Sequence, residues 1–182
     1  MAYKIEYRPS FVIFWGSALG FGLFAGGLLT FALVAMMILV LLSHERAHLN
    51  QCIKRGVGVN GVTFTAMGGM VDADILYAND AVPILAAGVI DTGCYTFVFG
   101  GFLAALYLIR PAGFNFVMNP WLNFLTSITA FLVVMCVTNI LPINYRSKVH
   151  GIISTDGWAA VRFAELRDEL WNDGRCLAMM GR

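Results

Sequence analysis

The sequence predicts an α-helical polytopic membrane protein of about four transmembrane helices, with a small membrane-associated β-hairpin between the second and third. Three observations carry that expectation. Of the 182 residues, 59% are hydrophobic and only 13% are charged, where soluble domains carry about 25%. A run of 32 residues, Phe11 to Leu42, contains no charged side chain. Further apolar runs follow near 82–109 and 121–141, each long enough for a span of about 20 residues. The net charge of +1 and the lack of a basic stripe give no reason to expect nucleic acid as a partner.

Residues 1–10 form a short polar lead with Lys4, Glu6, Arg8 and Pro9. The apolar run behind them far exceeds the roughly 7–15 residues of a signal-peptide core, so it is expected to be retained. It is too long for one span and too short for two spans with a loop, unless the second helix continues to about Cys52–Lys54. Gly20, Gly22, Gly26 and Gly27 then mark a tight hairpin. The first span is placed at about 11–25 and the second at about 28–54, the latter about 40 Å long at 1.5 Å per residue.

Residues 56–75 change character, with the β-hairpin expected over about 56–71. Val57, Val59, Val62 and Phe64 flank Asn60-Gly61 and read as two short strands around an Asn-Gly turn. The third span, about 82–109, contains Asp91. An intramembrane carboxylate is a functional candidate by default: a metal ligand, a substrate contact, or a group bonded to a neighbouring helix. The fourth span, about 121–141, ends at Asn139-Ile140-Leu141-Pro142. Residues 1–142 thus make a transmembrane core, 143–157 a loop, and 158–182 an amphipathic tail helix too charged to span. All Lys and Arg residues except Arg110 fall on the side of the termini, which places both termini and the candidate site toward the cytoplasm of a multi-pass cell-membrane protein. Cys52, Cys94, Cys136 and Cys176 are scattered singly, with no disulfide or C-x-x-C pattern, and read as packing residues.

The chemistry is concentrated in His44-Glu45-Arg46-Ala47-His48, at the end of the charge-free run. Two histidines four apart on a helix project from one face, so both imidazoles can reach one cation. Glu45 is placed to take a proton from a water on that cation. Each ionisable group at mid-membrane depth costs roughly 2.5–3.5 kcal/mol on insertion scales, so such a cluster calls for a functional reason. The pattern H-E-x-x-H on a helix is the signature of zinc peptidases. A catalytic zinc takes three protein ligands and keeps one position for water. Asp156, His150, Asp91 and the pair Asp72/Asp74 are the candidates for the third, with Asp156 favoured because Asn139 and Pro142 break the fourth span where a loop can turn back.

The motif in a membrane helix, followed by Gly68-Gly69 and then by Asn139-Ile-Leu-Pro142 with Asp156-Gly157, resembles the site-2 protease family over roughly residues 10–160. These are intramembrane zinc metalloproteases that cut membrane-embedded substrates. The resemblance implies one zinc ion per chain held by His44, His48 and Asp156, with Glu45 as general base. It implies that Asn139 helps to hold the substrate, and Gly68 and Gly69 belong to the groove and edge available to it. The implied partners are a transmembrane protein substrate and the lipid bilayer. The chain departs from the family pattern in the inserted stretch Asn144 to Thr155, and in Ala87-Gly88-Val89 where A-G-P is common. Asp91 or Thr92 stands where an asparagine is common, and Arg46 where a small or apolar residue is usual.

Two other readings use the same residues. In a zinc or proton transporter, His44, Glu45, His48 and Asp91 would line a permeation path, but no inverted repeat is visible. In an inactive member of the same fold, the chain would bind membrane partners without cutting them, which the complete motif argues against.

Overall fold

A computed structural model describes residues 3–66, 68–74, 78–109, 119–141, 144–147, 151–154 and 156. Among these, three helices are long and apolar enough to cross a membrane. They are α1 (Pro9–Lys54), α2 (Ala78–Ile109) and α3 (Pro120–Ile140), accompanied by the short strands β1 (Lys4–Tyr7), β2 (Val59–Thr65) and β3 (Gly68–Ala73), and β4 (Asn144–Ser147) and β5 (Gly151–Ser154).

The expected first two spans are one continuous element, α1, broken inside at Gly27 (φ 71°, ψ −169°). Positive φ suits a residue without a Cβ. The break reverses the chain. Residues 22 and 31 would stand about 13 Å apart along a straight helix, yet a Cβ added at Gly22 would lie 3.3 Å from the Phe31 backbone nitrogen. Thr30 Oγ1 donates to the Gly26 carbonyl at the bend, 2.9 Å. Phe11 at the start of α1 accordingly packs with Leu41 and Leu49 near its end. Pro9 opens the helix from an extended Arg8, and Gly56 (φ 69°) follows its last turn.

The other helices are set by local chemistry and by packing on the second arm of α1. At the start of α3 the Asn119 side chain accepts from the Trp121 and Leu122 backbone N–H groups at 3.0 and 3.2 Å, a cap of about 1 kcal/mol. Ile128 and Leu132 of α3 are fully buried with Val40 of α1, and Tyr95 and Phe99 of α2 pack on the same cluster. Ile84 of α2 is buried with Cys52 and Val57 just beyond the motif. Cys52 is therefore a packing residue.

The sheet differs from the expected hairpin over 56–71. It has three strands in the order β1-β2-β3, with β1 parallel to β2 and β2 antiparallel to β3. Asn60-Gly61 is not the turn. The strand runs through it with a register irregularity between Val59 and Gly61, and the reversal falls between Thr65 and Gly68. The reason is the polar lead, which folds as β1 against this position: a Cβ on Gly61 would come within 3.1 Å of the Lys4 carbonyl oxygen. Glycine here serves a close approach of backbones. Asn60 Nδ2 donates instead to Asp74 Oδ1, 3.1 Å. Val62 and Phe64 lay the sheet against Leu41 and Leu49, leaving the outer edge of β3 unpaired among the described residues.

The region expected as a loop over 143–157 contains the antiparallel pair β4 and β5, Asn144 opposite Ser154 through Ser147 opposite Gly151. Asp156 lies two residues beyond the end of β5, and the Asn144–Thr155 insertion includes this strand pair. Pro142, His150, Gly157 and the tail helix expected at 158–182 lie outside the described residues.

Candidate metal centre

His44, Glu45 and His48 project from the second arm of α1 into the protein, each less than a tenth exposed, while Arg46 between them is exposed. Leu41 and Leu49 on the same stretch anchor the helix under the sheet. Rotation about the helix axis is thereby fixed, and the two histidines face inward together.

His44, His48 and Asp156 form a group able to hold a metal ion. The two Nε2 atoms are 3.2 Å apart. Asp156 Oδ2 lies 3.4 Å from His44 Nε2 and 3.2 Å from His48 Nε2. Three donors in a nearly equilateral triangle have a direct geometric reading. A tetrahedral ion with bonds of about 2.0–2.1 Å requires ligand–ligand separations of roughly 3.3–3.4 Å; an octahedral ion with the same bonds requires about 2.8–3.0 Å. The observed edges lie nearer the first. Asp156 Oδ2 is buried, and its polar neighbours are the two histidine Nε2 atoms, so a proton or a cation must sit between them. Burial pushes the Asp156 carboxyl up, and the flanking imidazoles outweigh that effect and hold it down to about 2.

Helix α2 orients both rings from behind. His48 Nδ1 lies 2.6 Å from the Ile84 carbonyl oxygen, and His44 Nδ1 2.9 Å from Thr92 Oγ1. One turn from each, Gly88 presses on the imidazoles: a Cβ there would overlap His48 Nε2 and the Cε1 and Nε2 of His44. Further along, Ser43 Oγ meets the Tyr95 hydroxyl at 3.2 Å. Gly88 and Thr92 enter the sequence reading only as positions where the chain departs from the family pattern, and no role at the site is given to them there. Their signal is present as Ile84, Gly88 and Thr92 at four-residue spacing, which mirrors the spacing of the two histidines on the antiparallel helix.

Glu45 is buried beside the triangle, within electrostatic range of both imidazoles and Asp156. Gly69 of β3 packs directly on it, since a Cβ on Gly69 would overlap its Cγ and Cδ. The Gly69 backbone N–H also reaches the Glu45 carboxylate. Gly68 has a different place, its carbonyl accepting from Thr65 Oγ1 at 3.1 Å to close the β2–β3 turn.

The remaining candidates stand apart. Asp91 is not in the ligand group, and its buried Oδ2 has no donor among the described residues. Asp72 and Asp74 are exposed on β3 and just beyond it. Asn139 is half-buried in the last turn of α3 and makes no hydrogen bond to the centre among the described residues. The arrangement as a whole can hold a cation and present a carboxylate beside it, next to a strand edge that is unpaired among the described residues. No protein-family model matches the chain, and a search of curated proteins finds no match.

Proposed function

We propose that this protein is an intramembrane zinc metalloprotease of the site-2 protease type, hydrolysing a peptide bond in or near a transmembrane segment of a membrane protein substrate. The observation that carries the reading is the buried His44–His48–Asp156 triangle with Glu45 packed beside it. Two imidazoles and one carboxylate, with separations suited to tetrahedral bonds, favour zinc, which leaves a fourth position for water. When bound, zinc supplies Lewis-acid polarisation and lowers the pKa of water to about 7.

The protein's own residues do the rest. Glu45 accepts the proton from the attacking water and returns it to the leaving amine. Gly69 holds that carboxylate by close contact and by its N–H. The open edge of β3 offers main-chain hydrogen bonds to an extended segment, drawing a locally unwound substrate past Glu45. Unwinding is needed because an intact helix hides its amides in its own hydrogen bonds. The two arms of α1 are taken as separate crossings, giving four crossings in all, with both termini and the site on the cytoplasmic side. Enclosure of the polar groups by α2 and the sheet offsets their cost at membrane depth.

The test is Glu45→Gln in full-length protein reconstituted with candidate transmembrane substrates. Cleavage should disappear while zinc content stays at the wild-type level. Retained proteolysis would remove Glu45 from its assigned role, and zinc uptake into proteoliposomes without any cleavage would replace proteolysis by transport.

A further inference from the structure

We infer that Thr92 is a positioning residue that fixes the protonation pattern of His44, keeping its Nε2 lone pair free for a cation. The inference rests on the metal reading above. Thr92 is fully buried on α2, and its single hydroxyl hydrogen is donated to the Gly88 carbonyl four residues back, 3.0 Å away. Toward His44 Nδ1, at 2.9 Å, the same oxygen is left as an acceptor. His44 must therefore carry its proton on Nδ1. His48 arrives at the same state by a simpler route, because its Nδ1 faces the Ile84 carbonyl, which can only accept. With Nδ1 protonated on both rings, both Nε2 atoms can give their lone pairs to a cation alongside Asp156 Oδ2, the three atoms lying 3.2 to 3.4 Å apart.

The competing state explains why the hydroxyl matters. If His44 carried its proton on Nε2, that N–H would point toward Asp156 Oδ2, 3.4 Å away. A histidine–aspartate hydrogen bond would then occupy the ligand position and close the centre without a cation. The main chain of α2 locks His48 irrespective of side chain, whereas His44 depends on one replaceable hydroxyl. Outer-shell partners of this kind typically change metal affinity by about 10–100-fold when removed.

The test uses full-length protein in detergent, with Co²⁺ as the probe ion, and 15N-histidine spectra of the metal-free protein. Wild type should bind one Co²⁺ per chain and show His44 protonated at Nδ1. Thr92→Val should bind about 10–100-fold more weakly and move the His44 proton to Nε2, and Thr92→Ser should restore both. Thr96→Val is the control for helix damage: Thr96 makes the same kind of back-bond, to the Thr92 carbonyl at 2.8 Å, and it should behave as wild type. A Thr92→Val protein with wild-type affinity and an Nδ1 proton would overturn the inference, as would failure of Thr92→Ser to rescue. Wild type that takes up no Co²⁺ would overturn the metal reading, and the proton position would still decide the role of Thr92 separately.

Discussion

Gly88→Ala tests the geometry of the centre through a residue that contributes no ligand. The added methyl would overlap the metal-facing nitrogens of both histidines. Neither ring can yield freely, because each is held at its other nitrogen, His44 at 2.9 Å by Thr92 and His48 at 2.6 Å by Ile84. A cation requires both rings to stay converged, so a methyl that displaces them opposes binding. Overpacking of this sort costs about 1–3 kcal/mol, and at about 1.4 kcal/mol per decade that corresponds to roughly 5- to 150-fold weaker binding. Competition against a chromophoric chelator in detergent measures it. Gly93→Ala is the matched control on the same helix, since a Cβ there meets nothing within 4 Å; its affinity should equal that of wild type. Wild-type affinity in Gly88→Ala would refute the close packing of α2 on the two imidazoles.

Gly69→Ala should separate the carboxylate from the metal, because the three atoms nearest its methyl all belong to Glu45: zinc content is expected to stay stoichiometric while cleavage falls by roughly tenfold or more, and parallel loss of metal would argue against that separation. The Asp156 carboxyl, held down to about 2, contributes fully above the ordinary carboxylate range and loses that contribution only as pH falls through about 2. Between pH 5 and 7 the carboxylate is therefore already ionised, and calorimetry should show Asp156→Asn binding the metal more weakly than wild type throughout that range; equal affinity would argue against the carboxylate as a ligand. Gly61→Ala should push β1 away from β2, since the Lys4 carbonyl stands 3.1 Å from the new Cβ; faster amide exchange at Lys4–Tyr7 is the expected readout, and unchanged protection would contradict the close approach.

The apolar helices are legible because transmembrane length and hydrophobicity are written in contiguous residues. The shared face of His44 and His48 is equally local, following from a spacing of four on a helix. What depends on distant chain is not. Asn60-Gly61 carries a strong hairpin signal, and it is overridden by a four-residue strand more than fifty positions earlier whose parallel pairing leaves no local mark. Asp156 can be named among several third-ligand candidates, but choosing it requires knowing where the chain returns after α3, and β4 and β5 intervene. Gly88 and Thr92 are small residues in a span, where such residues are common. Only their opposition to the histidines on α1 gives them meaning.

The central claim is tested most directly by metal analysis and X-ray absorption on the purified full-length protein, with His44→Ala, Asp156→Ala and His150→Ala alongside. One zinc per chain is expected, bound by two imidazoles and one carboxylate oxygen at about 2.0–2.2 Å, lost in the first two variants and kept in the third. A wild-type protein without stoichiometric metal, or an Asp156→Ala protein with an unchanged absorption spectrum, would contradict the assignment.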